Sequence, residues 1–217
     1  MSLYTSPQTR RCILNSLSQY TYIRHSNRSF SSSMAPNNLC IYLLRRDLRA
    51  EDNPVLQAIN RAAKAGEITH VLPVYVFAAQ QIEVSGLITD GSKSPYPEAR
   101  SPTGNYWRCG PYRAKFLAES VWDLKKSLKA IGSDLDIRAG MIPEVIKLLI
   151  DGFKKGEETK VSHVWMTSEE GVEEKREERE VDKICQDVGV DFKLFKDEKY
   201  FIDEYVTTTL SVYQQIH

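Results

Sequence analysis

The sequence lacks features that would assign it to several well-known classes of protein. Its 217 residues include no apolar run long enough to cross a bilayer, so no membrane span is expected. The four cysteines form no CxxC pair and the four histidines have no partners at metal-ligand spacing, so we expect neither a disulfide framework nor a bound metal. No GxGxxG follows the first apolar run and GxxxxGK(S/T) is absent, which argues against an unrelated nucleotide-handling enzyme.

Acidic residues are also missing from residues 1–33, although the whole chain has 29 acidic and 29 basic side chains. This segment is rich in arginine and serine, a composition typical of an organellar transit peptide. Residues 28–31 (Arg-Ser-Phe-Ser) resemble a matrix-processing site. We therefore predict a mitochondrial transit peptide over residues 1–33. The alternative is translation from Met34, which would leave the protein in the cytoplasm or the nucleus.

The rest of the sequence alternates between short apolar runs and amphipathic stretches. The apolar runs are typical of strands covered on both faces, and they lie at residues 39–44, 70–77, 135–138, 161–166 and 190–195. Helices are predicted between Asp52-Asn53-Pro54 and Gly66, from Pro111 to Gly132, from near Pro143 to Phe153, and over residues 172–188,. Residues 80–110 are predicted to form a long surface connection. The alternation predicts an α/β, Rossmann-like open sheet of about five parallel strands with helices on both faces.

A charged segment, Arg45-Arg46-Asp47-Leu48-Arg49, follows the first predicted strand. Open parallel sheets bind ligands beyond the carboxyl ends of their strands, so one interpretation of these arginines is a phosphate-binding cluster. The other interpretation is structural. Asp47 would accept bidentate hydrogen bonds from an arginine, and Asp52 or Asn53 would cap the following helix. The structural interpretation is favoured because the acids would already satisfy much of the arginine charge.

The same residues carry a resemblance to a known family. Residues 44–49 (Leu-Arg-Arg-Asp-Leu-Arg) followed by 52–54 (Asp-Asn-Pro) resemble the opening signature of the DNA photolyase/cryptochrome family. Further segments are similar to the DASH branch of that family, the last two to its fungal members: residues 110–120, 132–135, 165–167 and 197–203. The resemblance covers residues 38–205 and identifies them as a photolyase/cryptochrome α/β, or antenna-binding, domain.

The resemblance implies a two-domain, blue-light flavoprotein. Its α/β domain would carry an antenna pterin, usually methenyltetrahydrofolate, and a helical domain would bind FAD and damaged DNA. Light would then drive photolyase activity on cyclobutane pyrimidine dimers, mainly in single-stranded DNA. After Asp203 the sequence departs from the family pattern. Residues 206–217 are therefore predicted to be a divergent tail, and the helical FAD-binding domain is expected to be absent.

Two functions remain open for the chain by itself. It is expected to be the antenna domain of a DASH-type cryptochrome, without catalysis of its own. The alternative is a non-enzymatic, truncated isoform that acts as a binding or regulatory module. Such an isoform would self-associate through the surface that otherwise contacts the helical domain. Residues 34–217 are slightly acidic, so this part alone is predicted to bind DNA poorly.

The candidate cofactor-binding residues are Glu169 and Glu170, which precede the last predicted helix. The resemblance implies that a glutamate at this point hydrogen-bonds the pterin ring. The alternative is that the acidic run over residues 169–180 is mostly a solvated helix face, with acids favoured near a helix N-terminus. No catalytic residue is assigned from the sequence.

Overall fold

A computed structural model describes residues 37–78, 101, 103–104, 106–156 and 159–197. Five strands form one parallel sheet in the order β3-β2-β1-β4-β5. They are β1 (Asn37–Leu44), β2 (His70–Ala78), β3 (Asp136–Gly140), β4 (Thr159–Thr167) and β5 (Asp191–Phe195). The α/β, Rossmann-like fold predicted from the sequence is thereby confirmed.

In the part of the chain that the structure describes, four helices lie in the connections between the strands: α1 (Pro54–Ala65), α2 (Pro111–Ala130), α3 (Ile142–Lys154) and α4 (Val172–Val188). Helix α1 begins at Asn53, whose Oδ1 accepts hydrogen bonds of 3.0 Å from the amides of Val55 and Leu56,. It ends at Gly66, where the φ of 79° is left-handed backbone that glycine adopts without steric penalty,. Of the two residues predicted as caps, Asn53 therefore fills the role.

Each face of the sheet has its own core. Helices α1 and α2 pack on one face, over a cluster that includes Tyr42 and Trp165. Helices α3 and α4 cover the other face, over a mainly aliphatic cluster that includes Ile41 and Leu43. Successive residues of a strand point to opposite faces. The continuous apolar run over residues 39–44 is therefore buried on both sides of β1.

The crossover connections change face in the middle of the sheet. The connections that leave β1 and β2 contain α1 and α2 on one face, and those that leave β3 and β4 contain α3 and α4 on the other. The change falls between β1 and β4, which are neighbours. In open α/β sheets, the ligand crevice lies beyond the carboxyl ends of the strands at this point. The charged segment after β1 and the segment around Glu169 after β4 both begin here.

Some sequence predictions concern residues outside the described ranges. The leader at residues 1–33, the tail at 206–217 and residues 80–100 of the long connection belong to this group. Among the described helices, none combines the length and apolar character that a membrane span requires.

Candidate functional site

A cavity of about 380 Å³ opens at the carboxyl edge of the sheet. Its walls come from the segments after β1 and β4, the end of β2, the residues around the start of α3 and the first half of α2. Its polar lining residues are Arg45, Arg46, Tyr75, Arg113, Ser120, Glu169 and Glu174. Its apolar lining residues are Leu48, Val76, Phe116, Leu117 and Ile142. This size and this mixture of apolar walls with a few polar groups suit a small organic ligand.

Arg45, the first residue after β1, is buried beside the cavity. Its Nη2 donates to the carbonyl oxygen of Thr167 and to Oε1 of Glu178, both at 2.6 Å. Within the described part of the chain, its buried Nε and Nη1 have no hydrogen-bond partner. An unpaired buried donor costs about 1–3 kcal/mol, and an acceptor on a bound molecule would remove that cost. Arg45 therefore has spare donor capacity at the cavity.

The structure separates the two candidate glutamates. Glu169 is buried and lines the cavity. Its amide donates to Glu178 Oε1 at 2.8 Å, and its Oε2 lies 3.7 Å from Nη1 of Arg46. Glu170 instead has an 85% exposed side chain, 3.7 Å from Nζ of Lys175, and does not line the cavity. Of the pair, only Glu169 is placed to contact a molecule in the cavity.

The interpretation of residues 169–180 as mostly a solvated face holds for only part of this run. Of its seven glutamates, only Glu170 and Glu180 are exposed. Glu178 and Glu177 are buried because they lie three and four residues before Val181 on α4, on the helix face that packs against the sheet,. Extending the apolar stripe of α4 backwards by one turn would have revealed this from the sequence. The buried Glu178 is a site residue that sequence reasoning missed.

Ion pairs join the start of α4 to the segments around it. Arg46 Nη2 donates to Glu174 Oε1 at 2.5 Å. Arg108, which precedes α2, makes a bidentate pair with Glu173. These bonds connect α4 with the loop after β1 and with the approach to α2. The rim of the cavity is thus held by side chains from three separate segments.

The charged segment after β1 forms a network that differs from the predicted one. Asp47 is fully buried but accepts its hydrogen bonds from the Tyr42 hydroxyl and, at 3.0 Å, from the Arg45 amide. The predicted bidentate bond from an arginine to Asp47 is therefore wrong. Asn53 Nδ2 donates to the Tyr42 hydroxyl at 2.7 Å. Burial, followed by the charge of Asp47, raises the pKa of Tyr42, which therefore stays protonated.

The cysteines in the described part of the chain do not suggest a reactive centre. Cys40, Cys109 and Cys185 are free and buried. Burial and the charge of Asp191 raise the pKa of Cys40, and burial with the charges of Asp182 and Asp191 raises the pKa of Cys185 to about 12, so both remain thiols. Searched over the same residues, histidine, cysteine and acidic side chains form no group of three or more that could hold a metal ion.

An open parallel sheet with helices on both faces and a cavity at its topological switch point defines a Rossmann-like α/β domain. The DNA photolyase family model matches residues 40–215, so the chain belongs to the DNA photolyase family. The resemblance noted at residues 44–49 and 52–54 is thereby confirmed.

Three of the relatives that this chain matches are named cryptochrome DASH. The chain is 53% identical over 171 residues to the putative mitochondrial cryptochrome DASH of Neurospora crassa, covering 79% of this chain and 23% of that protein. It is 48% identical to the putative cryptochrome DASH of Gibberella zeae, covering 79% and 24%. Cryptochrome DASH of Xenopus laevis is 32% identical, covering 74% and 26%. The chain spans about a quarter of the length of these curated relatives.

Solved structures support the same fold. A cryptochrome from Synechocystis matches with a TM-score of 0.56 and 22% identity, over 76% of this chain and 28% of that one. An archaeal photolyase from Sulfolobus tokodaii, solved with two FAD molecules, matches with a TM-score of 0.52 and 23% identity, over 73% and 29%. At these identities the likeness concerns the fold.

Proposed function

We propose that this chain is the antenna domain of a DASH-type cryptochrome and that the cavity at the carboxyl edge binds methenyltetrahydrofolate. One observation carries the proposal. The cavity brings together the buried carboxylate of Glu169 and the buried guanidinium of Arg45, two of whose nitrogens have no partner among the described residues. A pterin offers both kinds of partner, because its ring has N–H donors and a carbonyl acceptor.

The lining residues fit such a ligand by their chemistry. The Glu169 carboxylate would accept hydrogen bonds from adjacent ring N–H and amino groups, and Arg45 would donate to an acceptor; both bonds are charge-assisted. Phe116 and Leu117 supply apolar surface that favours a flat ring over water,. When bound, the pterin would absorb light and pass the excitation to a flavin. The residues of this chain would bind and orient it.

Flavin and DNA chemistry would require more than the α/β domain. We propose that FAD and damaged DNA are bound by the helical domain of a full-length family member, where repair of cyclobutane pyrimidine dimers, mainly in single-stranded DNA, would take place. The share of the relatives that this chain spans supports the division. The described residues would contribute light harvesting only.

A mitochondrial location is proposed for the protein. The arginine- and serine-rich composition of residues 1–33 supports it,, as does the similarity to the putative mitochondrial cryptochrome DASH of Neurospora crassa. A fusion of residues 1–33 to a fluorescent protein should enter mitochondria, whereas the full chain started at Met34 should not. Mitochondrial import of both, or of neither, would contradict the proposal.

The pair Glu169 and Glu170 offers a matched test of the cavity. The full chain should bind methenyltetrahydrofolate with a shifted absorption maximum. Glu169→Gln should weaken this binding by about tenfold or more, because a charged hydrogen bond is lost. Glu170→Gln should leave binding within about twofold, because its side chain lies outside the cavity. Wild-type protein that binds no methenyltetrahydrofolate, or equal effects of the two changes, would refute the proposal.

A binding or regulatory module remains the second candidate, because α2 exposes large aromatic side chains. Tyr112 and Phe116 are 90% and 72% exposed and lie one helical turn apart,. An exposed apolar patch of this kind is typical of an interaction surface. Sedimentation would distinguish the candidates: concentration-dependent self-association that Phe116→Ser abolishes favours the module, and a monomer at all concentrations excludes self-association.

A further inference from the structure

One carboxylate oxygen connects the two charged groups that the cavity presents. Glu178 Oε1 accepts a hydrogen bond from Arg45 Nη2 at 2.6 Å and another from the Glu169 amide at 2.8 Å. Arg45 follows β1 and Glu169 follows β4, the two strands on either side of the switch point. Glu178 itself is 3% exposed and does not line the cavity. Glu178 therefore contacts both Arg45 and Glu169 from the protein interior and not from the cavity.

These bonds restrict how Arg45 can point. A guanidinium is a rigid, planar fork, so fixing Nη2 on Glu178 Oε1 and on the Thr167 carbonyl also fixes Nε and Nη1. Those are the two nitrogens that have no partner in the described part of the chain. The same Glu178 oxygen holds the backbone of Glu169, from which the cavity carboxylate extends. The guanidinium of Arg45 and the backbone of Glu169 are therefore held at a fixed distance from each other.

We propose that Glu178 is a positioning residue for ligand binding: it holds Arg45 and Glu169 in the relative arrangement that the ligand requires, without touching the ligand. This inference rests on the proposed antenna function for its ligand, methenyltetrahydrofolate. Helix α4 then has a role beyond packing, because its position against the sheet brings Glu178 Oε1 to both Arg45 and Glu169. The other oxygen of Glu178 lies 3.8 Å from Nζ of Lys175, so the carboxylate is anchored on both sides.

Glu177 provides a control of matched burial. It is the preceding residue of α4, is also a glutamate and is 4% exposed. It is not the carboxylate that accepts the bonds from Arg45 Nη2 and the Glu169 amide. A general effect of disturbing a buried acid on α4 should therefore appear in Glu177→Gln. A positioning effect should appear only at Glu178.

The first measurement uses the ligand-free full chain and follows hydrogen exchange of the Glu169 amide by NMR. Glu178→Ala should raise the exchange rate of this amide by about tenfold or more, because its acceptor is removed. Glu178→Gln retains an acceptor oxygen and should keep the rate within about threefold. Glu177→Gln should leave it unchanged, and in each variant the change at the Glu169 amide is compared with the change at the amides of β1, which report a general loss of stability. An unchanged Glu169 amide in Glu178→Ala would overturn the inference.

The second measurement is the affinity for methenyltetrahydrofolate. Glu178→Ala should weaken it by about tenfold or more, Glu178→Gln should recover part of the loss, and Glu177→Gln should stay within about twofold. Equal losses at Glu177 and Glu178 would reduce Glu178 to a structural role. If Glu178→Ala does not fold, Glu178→Gln decides alone: affinity equal to that of the wild type would overturn the inference. If the wild type binds no methenyltetrahydrofolate, the proposed function fails, while the exchange measurement still decides whether Glu178 holds Glu169.

Discussion

The two ends of the sheet differ in where they place their polar groups. Every buried polar side chain in the described part of the chain lies at or beside the carboxyl edge: Arg45, Asp47, Asn53, Thr167, Glu169, Glu177 and Glu178. At the amino edge, polar contacts are exposed or only partly buried: the Asn38 side-chain amide donates to the Glu67 carbonyl, and Lys125 pairs with Asp134. A second, smaller cavity near the amino ends of the strands has mainly apolar walls.

The difference indicates which end has a requirement beyond folding. A buried polar group costs free energy unless all its hydrogen bonds are made, and a solvated pair costs little. At the amino edge, exposed or partly exposed polar contacts hold the loops, and forming them requires little desolvation,. The carboxyl edge buries charge and, in the case of Arg45 and the hydroxyl of Thr167, leaves polar atoms without a partner among the described residues. Folding alone gives no reason for that arrangement, whereas ligand binding does.

The largest expected effect comes from Arg45→Met at the carboxyl edge. It leaves the Glu178 carboxylate buried without its main partner, and breaking a buried pair in this way costs about 3–5 kcal/mol. The double change Arg45→Met with Glu178→Met should recover much of the loss, because no buried charge remains. Urea unfolding would measure both. The matched change at the amino edge, Lys125→Met, should cost less than about 1 kcal/mol; equal costs at the two edges would remove the contrast.

A second, smaller effect is expected at the buried network after β1. Asp47→Ala removes the acceptor of the Tyr42 hydroxyl and of the Arg45 amide, which should cost about 2–3 kcal/mol in unfolding free energy. Asp136→Ala is the control, since Asp136 starts β3 and pairs with Arg138 at 2.9 Å in a partly exposed position. Its cost should stay below about 1 kcal/mol. Unfolding curves in which Asp136→Ala is the more harmful change would contradict this ordering.

The fold could be predicted from the sequence because its signals are local. The apolar run at residues 39–44, the cap at Asn53 and Gly66 each act within a few residues. Pro73 lies inside β2 opposite Tyr42 and has no amide hydrogen to donate, but the apolar run at residues 70–77 still predicts the strand.

The site could be predicted only in part, because its key contacts join distant residues. Arg45 and Glu178 are 133 positions apart, and no local pattern indicates that they meet. Glu169 and Glu170 are equivalent neighbours in the sequence, and only the turn into α4 decides that one faces the cavity. The family resemblance indicates the segment that contains both glutamates, whereas only the tertiary structure shows that Glu169 is the one that lines the cavity.

The smallest effect is a pH dependence at the amino edge, centred on Asp134. Burial alone would raise the pKa of this carboxyl, but hydrogen bonds from Lys125 and the Leu135 amide, with the nearby charges of Lys125 and Lys129, hold it below its usual value. Its folded pKa is thus lower than its unfolded pKa of about 3.9. The stability that it contributes is present above the unfolded pKa and is lost as pH falls through the folded pKa.

Lys125→Met should therefore flatten the acid limb of a stability–pH curve measured by urea unfolding below about pH 4. Lys129→Met is the matched control, because Lys129 is more exposed and its Nζ lies 3.9 Å from Asp134, against 2.6 Å for Lys125. Its curve should stay close to that of the wild type. The whole effect should remain below about 1 kcal/mol, since both partners are partly solvated. If the pH-dependent stability that Lys125→Met removes were larger than this, the amino edge would also depend on a desolvated charge. The two ends of the sheet would then differ only in the size of this dependence.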